Sequence, residues 1–328
     1  MNYVAPWWLP GGHIQTIWPA LFSRDQAVGV VEVTPAYRRQ RLTTPDGDFI
    51  DLDWQDQPAA TTLLVLFHGL EGSSQSHYAR AFAIHARANG WAYVVPHFRG
   101  CSGELNLAPR AYHSGDYQEI GWILQRLREF HAGTVYVVGV SMGGNALLRW
   151  AEEAGHTAGD CASALASVSA PVDLAASGEA IGLGFNLQVY TRRFLRSIKP
   201  KALAKLRQHP GLFDRQRLLA ATNLYDFDNV FTAPLHGYHN TADYWHRASA
   251  KPHLHAIRVP TLVVNALNDP FVPASSLPKA QEVGSFVQLW QPLQGGHVGF
   301  AQGRPPANLQ AIPEAVGKWF VKHGAKHG

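Results

Sequence analysis

Short runs of apolar residues alternate with amphipathic stretches along most of the chain. The runs lack polar alternation, as expected for parallel strands that are covered on both faces. The stretches between them repeat apolar residues at helical spacing. Strands and helices in alternation predict an α/β fold with a mostly parallel, doubly wound sheet. The predicted strands are 63–67, 92–95, 135–140, 164–169, 261–266 and 286–291; the predicted helices are 76–89 and 308–322, with others opening at Asp116 and directly after residue 141.

The first part of the chain departs from this alternation. Residues 1–26 are rich in Trp, Pro and Gly and show no periodicity, which predicts a packed irregular arm. Strand-like segments at 28–41 and 49–54 flank the turn residues 45–48. Two such segments joined by a short turn predict an antiparallel hairpin at an edge of the sheet.

The alternation also stops between residues 171 and 260. Apolar positions Leu187, Tyr190, Phe194 and Ile198 mark one amphipathic helix, and the segments 215–221 and 242–248 are also helical in pattern. The sheet pattern resumes directly afterwards, so we expect a helical cap that covers the carboxyl edge of the sheet and lines part of an acyl pocket. A separate partner-binding domain is the alternative. The predicted division is a core of residues 1–170 and 261–328 with a cap of residues 171–260.

A Gly-x-Ser-x-Gly pentapeptide, residues 139–143, lies between the predicted strand 135–140 and the helix after it. In this setting the pentapeptide is typical of a strained turn that lifts a nucleophilic serine clear of the sheet. Glycine is needed where a Cβ atom would clash with neighbouring backbone, and the following helix directs its N-terminal dipole towards the site. Ser141 is therefore the predicted nucleophile. A simple connecting loop rich in Gly and Ser is the alternative.

A serine hydroxyl needs a base to take its proton and a third group to hold that base in the right tautomer. Asp269 and His297 each follow a later predicted strand, in the order serine, acid, histidine. Because the carboxyl ends of parallel strands meet at one edge of the sheet, we predict that Ser141, Asp269 and His297 form a triad. Asp173 also follows a strand end and is the alternative acid. His297 is preferred among the 17 histidines because it lies in the Gly-rich loop after the last predicted strand.

Negative charge that develops on a carbonyl oxygen needs backbone N–H donors. The residue after the nucleophile, Met142, is expected to supply one of them. The other is expected from the loop after strand 63–67, which begins His68-Gly69-Leu70, and we assign it to Leu70. A tight turn without a catalytic role is the alternative for this loop.

The composition is that of an ordered globular protein. The 328 residues, of which 46% are hydrophobic and 16% charged, suffice for an α/β domain with a large insertion. Cys101 and Cys161 are too few for a disulfide framework and are typical of a reducing compartment. We find neither a signal-peptide pattern nor an apolar segment near the roughly 18 residues that span a bilayer. We therefore expect a cytoplasmic protein.

The formal net charge of +4 is small for this length, so nucleic acid is not an expected partner. The only dense basic run consists of Arg192, Arg193, Arg196, Lys199, Lys201 and Lys205. We expect a solvated helix face there, and peripheral contact with anionic lipid or an acidic substrate is the alternative. The sequence contains no dinucleotide-binding, phosphate-loop or zinc-protease motif, so no cofactor and no metal is predicted. It leaves the oligomeric state open.

Further short motifs occur together with the pentapeptide. They are His13–Thr16, Phe67–Ser73, His97–Glu104, Tyr112–Gly115, Gly143–Asn145, Thr232–Gly237 and Gly295–Phe300. Together they resemble the YheT-like branch of the α/β-hydrolases, whose animal relatives in the ABHD group act on phospholipids. The resemblance extends over nearly the whole chain and implies a Ser-Asp-His hydrolase of carboxylic esters. The chain departs from that pattern at Val140 and Met142, where members often carry Tyr and Leu, and at Asn268, where Asp is frequent.

The sequence therefore predicts a serine esterase that forms an acyl-enzyme on Ser141 and takes a small-molecule ester, with a short to medium acyl chain, as its substrate. An acyltransferase, or a lipase or phospholipase, would use the same triad and is the alternative. A non-catalytic ligand-binding protein is the alternative from another class. The presence of all three triad residues weighs against it.

Overall fold

An eight-stranded sheet forms the centre of the computed structural model, which describes residues 2–22 and 36–324. The strands are β1 Arg38–Thr43, β2 Phe49–Gln55, β3 Thr62–Phe67, β4 Ala92–Pro96, β5 Thr134–Val140, β6 Ala164–Val168, β7 Thr261–Val264 and β8 Val287–Trp290. Their order across the sheet is β1-β2-β4-β3-β5-β6-β7-β8. The pairs β1–β2 and β2–β4 are antiparallel and the other pairs are parallel. This confirms the predicted mostly parallel sheet with an antiparallel hairpin at its edge.

Helices cover both faces of the sheet. They are α1 Gly11–Phe22, α2 His77–Ala88, α3 Tyr117–Phe130, α4 Met142–Ala154, α5 Ala158–Cys161, α6 Leu174–Ile181, α7 Gly184–Asn186, α8 Arg192–Gln208, α9 Arg215–Ala220, α10 Leu224–Val230, α11 Thr232–Leu235, α12 Thr241–Ala248 and α13 Ala311–His323. The π-helical turn Leu187–Thr191 joins α7 to α8. Helices α3 and α4 pack on one face of the sheet, and α2 and α13 pack on the other.

The central strand β5 shows why its sequence is apolar throughout. Successive side chains of a strand point to opposite faces. Val137 accordingly packs in the cluster that contains α3 and α4, whereas Val138 packs in the cluster that contains α2 and α13. Both faces of β5 are therefore buried, and an alternating pattern would place polar side chains in the core.

The insertion between β6 and β7 contains helices α6 to α12. Its largest apolar cluster joins α8 to α10 and includes Leu195, Ile198 and Phe227. Leu70, from the loop after β3, packs against the same cluster. The insertion therefore contacts the carboxyl end of the central sheet.

Asn145 fastens the end of the insertion to helix α4. Its side-chain Nδ2 donates to the carbonyl oxygens of Ala248 and Ser114 at 2.8 and 2.9 Å, and its Oδ1 accepts from the backbone N–H of Ala250 at 3.1 Å. Asn145 is fully buried, so these bonds satisfy polar groups that water does not reach. The Gly-Gly-Asn motif of the sequence thus places a structural amide one turn after Ser141.

One expectation about the N-terminal region needs correction, and a second is tested only in part. The arm predicted as irregular contains helix α1, whose glycine-led start and internal Pro19 obscured it. Of the strand predicted at 28–41, residues 38–41 belong to β1 and residues 36–37 precede it, while residues 23–35 lie outside the part of the chain that the structure describes. Within residues 2–22 and 36–324, none of the helices combines the length and apolarity that crossing a membrane requires.

Candidate active site

Strand β5 and helix α4 meet in a sharp turn at Ser141. The backbone of Ser141 has φ +54° and ψ −121°, a region that costs a non-glycine residue about 1–3 kcal/mol. The turn depends on the glycines on either side. A Cβ atom at Gly139 would lie 2.5 Å from the carbonyl oxygen of Gly143, and one at Gly143 would lie 2.4 Å from that of His68. The pentapeptide therefore has glycine where neighbouring backbone leaves no room for a side chain.

The side chains of Ser141, His297 and Asp269 form one series of hydrogen bonds. The Oγ atom of Ser141 lies 2.9 Å from Nε2 of His297, and Nδ1 of His297 lies 2.8 Å from Oδ2 of Asp269. An ionised carboxylate only accepts, so Nδ1 carries the hydrogen and Nε2 is free to accept from the serine hydroxyl. This is the arrangement that a base-activated serine requires.

The two candidate acids have different surroundings. The side chain of Asp269 is fully buried, and its second oxygen accepts from the backbone N–H groups of Phe271 and Val272 at 2.8 and 3.3 Å. Asp173 instead forms the N-cap of α6, where its carboxylate accepts from the N–H of Ala176 at 3.1 Å. The structure therefore brings Asp269, rather than Asp173, to His297.

The loop after β3 leaves one N–H group unpaired beside Ser141. The N–H of Gly69 donates to the hydroxyl of Tyr78 at 2.9 Å, and the N–H of Glu71 donates to the hydroxyl of Tyr112 at 2.9 Å. Between them, the N–H of Leu70 has no partner among the described residues. The N–H of Met142 opens helix α4 and likewise lacks an acceptor within the helix.

His68 stabilises the loop after β3 through two hydrogen bonds. Its Nδ1 donates to the carbonyl oxygen of Gly69 at 2.8 Å, and its Nε2 accepts from the N–H of Phe98 at 3.1 Å. These two bonds require a neutral imidazole with the hydrogen on Nδ1. Desolvation by complete burial lowers the pKa of His68 to about 3, so the ring stays neutral at physiological pH.

A side-chain contact connects this loop to the insertion. Glu71 adopts a left-handed backbone conformation, with φ +56°, and its Oε1 accepts from the hydroxyl of Tyr112 at 2.9 Å. The same Oε1 atom lies 2.9 Å from Nζ of Lys201 on α8. The position of α8 is therefore linked to the loop that contains Leu70.

This contact also corrects the prediction of a solvated basic face. Arg192, Arg193 and Arg196 are exposed, as expected. The three lysines of the run form specific contacts instead: Lys199 donates to two backbone carbonyls, Lys201 pairs with Glu71, and Lys205 is only 2% exposed. Nζ of Lys205 donates to backbone carbonyls of the loop before α3, and desolvation by burial lowers its pKa to about 8. Lys201 and Lys205 lie one turn apart on α8 and face the core loops, whereas Lys199 lies on another side of the helix; only the fold shows that these cations are engaged.

Helix α1 holds the histidine loop. The N–H of His297 donates to Oγ1 of Thr16 at 2.8 Å, and the N–H of Gly295 donates to Oε1 of Gln15 at 2.9 Å. Asn268 connects the loop that contains Asp269 to α1 and to the histidine loop. Its Nδ2 donates to Oε1 of Gln15 at 2.9 Å, and its Oδ1 accepts from the N–H of Gly296 at 3.0 Å. An amide at position 268 supplies both the donor and the acceptor. Sequence analysis did not find these roles, although the motif His13–Thr16 had marked the segment.

A cavity of about 190 Å³ opens beside the triad. Its wall includes Ser141, His297, Met142 and Leu70 on the side of the sheet. Aliphatic and aromatic side chains of the insertion form much of the remaining wall: Leu174, Ile181, Phe194, Ile198, Leu224, Phe227, Phe231 and Trp245. A concave, mostly apolar site with few polar groups is typical of small-molecule binding.

Comparisons with known proteins agree with this architecture. Residues 62–303 match the family described as having the alpha/beta hydrolase fold. YheT of Escherichia coli (strain K12), which is named as a candidate esterase, is 40% identical over 297 residues, 89% of this chain and 84% of YheT. Phospholipase ABHD3 of Mus musculus is 27% identical over 306 residues, 89% of this chain and 73% of that protein.

Solved structures show the same fold at low sequence identity. The esterase Pf2001 of Pyrococcus furiosus superposes with a TM-score of 0.57 at 17% identity, over 90% of this chain and 98% of that one. Est1E of Butyrivibrio proteoclasticus, solved with ferulic acid bound, gives 0.56 at 16% identity, over 89% and 100%. The chain therefore belongs to the family with the α/β-hydrolase fold. Within that family it is similar to YheT and to the ABHD proteins.

Proposed function

We propose that the protein hydrolyses carboxylic esters through an acyl-enzyme formed on Ser141. The observation that carries the proposal is the hydrogen-bonded series Ser141–His297–Asp269 in the wall of an apolar cavity. The names of YheT and of phospholipase ABHD3 both refer to cleavage of ester bonds, which agrees with this chemistry. The apolar wall supports short to medium acyl chains as the substrate class.

In the proposed first half-reaction, Oγ of Ser141 attacks the ester carbonyl carbon while its proton passes to Nε2 of His297. The carbonyl oxygen becomes an oxyanion and accepts hydrogen bonds from the N–H groups of Leu70 and Met142. His297 then donates the proton to the leaving oxygen, so that the alcohol departs and the acyl-enzyme remains. Asp269 stays ionised throughout and orients the imidazole.

In the second half-reaction, a water molecule gives a proton to Nε2 of His297 and its oxygen attacks the acyl carbon. The tetrahedral intermediate uses the same two N–H donors as the first one. Its collapse expels Oγ of Ser141, which regains the proton from His297, and the carboxylic acid leaves. In this proposal the core, residues 1–170 and 261–328, supplies the catalytic groups, and the cap, residues 171–260, forms the acyl pocket.

The test is to replace the nucleophile. Ser141→Ala should lower ester hydrolysis by on the order of 10⁶-fold and abolish labelling by a fluorophosphonate probe, because no other hydroxyl among the described residues is hydrogen-bonded to Nε2 of His297. The measurements are p-nitrophenyl ester turnover and mass spectrometry of the labelled peptide. Ser276→Ala is a matched control, since that hydroxyl only donates to the carbonyl of Pro273 and both activities should persist. Substantial ester hydrolysis by a clean preparation of Ser141→Ala would refute the proposal.

A further inference from the structure

The loop that contains Leu70 is a tight turn with an unfavourable residue at its third position. The N–H of Gly72 donates to the carbonyl oxygen of Gly69 at 2.9 Å, which closes the turn around Leu70 and Glu71. Glu71 has φ +56°, whereas the φ of Leu70 is not positive. This combination defines a type II turn, whose third position favours glycine or asparagine. A glutamate at this position needs contacts that compensate for its backbone conformation.

The carboxylate of Glu71 makes such contacts on two sides. Its Oε1 accepts from the hydroxyl of Tyr112, which belongs to the core, at 2.9 Å. The same Oε1 accepts from Nζ of Lys201, which belongs to α8 of the insertion, at 2.9 Å. Among the described residues, no other hydrogen bond joins the insertion to this turn. The thiol of Cys101, a weak acceptor, lies 4.0 Å from Nζ of Lys201.

We propose that Lys201 is a positioning residue for the oxyanion site. Through Glu71 it holds the turn in the conformation that directs the N–H of Leu70 towards the carbonyl oxygen of the substrate. The insertion would thus contribute to the chemical step as well as to the acyl pocket. This inference rests on the proposed esterase function and adds to it a residue outside the triad.

Apolar packing brings α8 against the same turn. The side chain of Leu70 packs on the cluster that contains Ile198 and Phe227. Ile198 lies three residues before Lys201 on α8, so the two side chains lie on the same side of the helix. A displacement of α8 would therefore act on two neighbouring residues of the turn, through the side chain of Leu70 and the carboxylate of Glu71.

The direction of the N–H of Leu70 depends on the shape of the turn. This N–H shares a peptide group with the carbonyl oxygen of Gly69, which accepts the bond that closes the turn. If Glu71 relaxed to negative φ, the turn would change and the bond from its N–H to Tyr112 would break. The N–H of Leu70 would then be held less firmly, and an oxyanion is stabilised only by donors at defined positions.

The experiment compares stabilisation of an oxyanion with binding of a neutral ligand. Lys201→Met keeps an unbranched stem in the cavity wall and removes the ammonium group, and p-nitrophenyl hexanoate gives kcat and KM. With 1,1,1-trifluoro-2-octanone, Oγ of Ser141 adds to the carbonyl carbon, the serine proton passes to His297, and the ketone oxygen becomes an oxyanion. 2-Octanone is the matched ketone that is too weakly electrophilic to form a stable adduct.

We expect Lys201→Met to lower kcat about fivefold, the upper end of what a partly exposed ion pair contributes, and to weaken the trifluoromethyl ketone by a similar factor. KM and the affinity for 2-octanone should change by less than about twofold. Lys201→Arg should restore most of kcat, because a guanidinium can donate to the same carboxylate. If Lys201→Met fails to fold, Lys201→Gln also removes the charge and should give the same loss.

Three outcomes would overturn the inference. An unchanged kcat in folded Lys201→Met would mean that the contact does not affect the chemical step. A rise in KM at constant kcat, or an equal loss of affinity for both ketones, would mean that Lys201 binds the substrate directly.

Glu71→Gln tests whether Lys201 acts through Glu71. The amide keeps an acceptor for the hydroxyl of Tyr112 but removes the negative charge. If the two residues act as a pair, adding Lys201→Met to Glu71→Gln should lower kcat by less than about twofold further. Losses that multiply in the double variant would show that Lys201 acts independently of Glu71, which contradicts the proposal.

Lys199→Met is the matched control on the same helix. Nζ of Lys199 donates to the carbonyl oxygens of Leu219 and Ala221 within the insertion. Its substitution should leave kcat and the affinity for the trifluoromethyl ketone within about twofold of wild type. A loss equal to that of Lys201→Met would reveal a general effect of α8 and overturn the assignment. Failure of the proposed function would look different, because wild type would not cleave the hexanoate or Ser141→Ala would cleave it equally well.

Discussion

The edge of the sheet and the insertion build the two sides of the cavity in different ways. On the side of the sheet, Ser141, His297 and the loop at Leu70 are each held by hydrogen bonds of defined direction. On the side of the insertion, Phe194 and Ile198 are held by apolar packing. A hydrogen bond is largely lost when one of its atoms moves by about an ångström, whereas the free energy of apolar contacts changes gradually with the area buried. We therefore expect large effects from small changes at the sheet and small effects from large changes at the insertion.

After the loss of the nucleophile itself, the largest effect should come from the acid of the triad. Asp269→Asn replaces an acceptor by an amide that can donate to Nδ1 of His297, which favours the tautomer that cannot take the proton of Ser141. The loss in kcat/KM should be on the order of 10⁴-fold in steady-state ester hydrolysis.

The matched control is Asp173→Asn. Asn is also a good N-cap, so α6 should keep its capping bond to Ala176 and activity should fall by no more than a few-fold. A severe loss in Asp173→Asn together with a mild one in Asp269→Asn would mean that Asp173 is the acid.

These residues are the part of the site that sequence could predict. The strained turn needs glycine on both sides of Ser141, and a parallel sheet brings its strand ends to one edge, so local pattern and chain order suffice. The predicted strands agree with the observed ones because a central strand must be apolar on both faces. The predicted ends of β7 and β8 extend one or two residues beyond the observed strands, although backbone hydrogen bonds from Asn265 to Trp290 and from Leu267 to Pro292 continue between the two chain segments.

The second effect should come from the loop that contains Leu70. Tyr112→Phe keeps the ring but removes the hydroxyl that accepts from the N–H of Glu71 and donates to its carboxylate. The loop is then freer to turn its N–H groups, so we expect kcat to fall by about 10- to 100-fold with little change in KM, less than the loss of a whole donor. Steady-state kinetics on one ester gives both constants.

Tyr93→Phe is the control for Tyr112→Phe. Tyr93 is fully buried and its hydroxyl donates to the carbonyl of Ala79, on the opposite face of the sheet from Tyr112. It should leave kcat unchanged in the folded enzyme. A rise in KM with constant kcat in Tyr112→Phe would assign Tyr112 to substrate binding instead of loop positioning.

The supports of the site could not be predicted in this way. Tyr112 lies 41 residues from Glu71, and Gln15 lies 280 residues from Gly295. No periodicity relates such pairs, because only the folded chain brings them together. Helix α1 is the clearest case: its glycines and Pro19 obscure a helical pattern, and its contacts with the loops at Asn268 and His297 supply what the local sequence lacks.

The third effect concerns the junction between the insertion and the core. The rings of His113 and His236 pack with centroids 4.3 Å apart, and desolvation by burial lowers the pKa of each to about 3, with Arg110 acting in the same direction. Asp116 raises the pKa of His236, but its effect is smaller than that of burial. If the insertion moved away from the core, both imidazoles would be solvated and each would have a pKa near 6.5. The open form then binds more protons, so closure is unaffected above pH 6.5 and is weakened progressively between about pH 6.5 and 3.

Hydrogen exchange measures this opening. Between pH 6.5 and 5.5 the opening equilibrium of the insertion should rise by about fivefold for each histidine, after correction for intrinsic exchange rates. Strands β3 and β5 should show a smaller change. His236→Gln removes one titrating ring and should reduce the pH dependence of the insertion; an undiminished dependence would contradict the role of this pair.

The smallest effect should come from the apolar wall. Phe194 lines the cavity and packs against Phe271, which in turn contacts the ring of His297. Phe194→Ala enlarges the cavity, so the acyl length that gives the highest kcat/KM should increase. Each further methylene that the cavity can hold contributes about 0.8 kcal/mol, or roughly a fourfold change.

Phe185→Ala is the matched control, because Phe185 is 52% exposed and lies outside the cavity wall. Kinetics on esters of increasing acyl length should shift for Phe194→Ala and not for Phe185→Ala, with thermal unfolding as the check on folding. If both well-folded variants keep the wild-type optimum, Phe194 does not limit the acyl chain, and the end of the pocket lies elsewhere in the insertion.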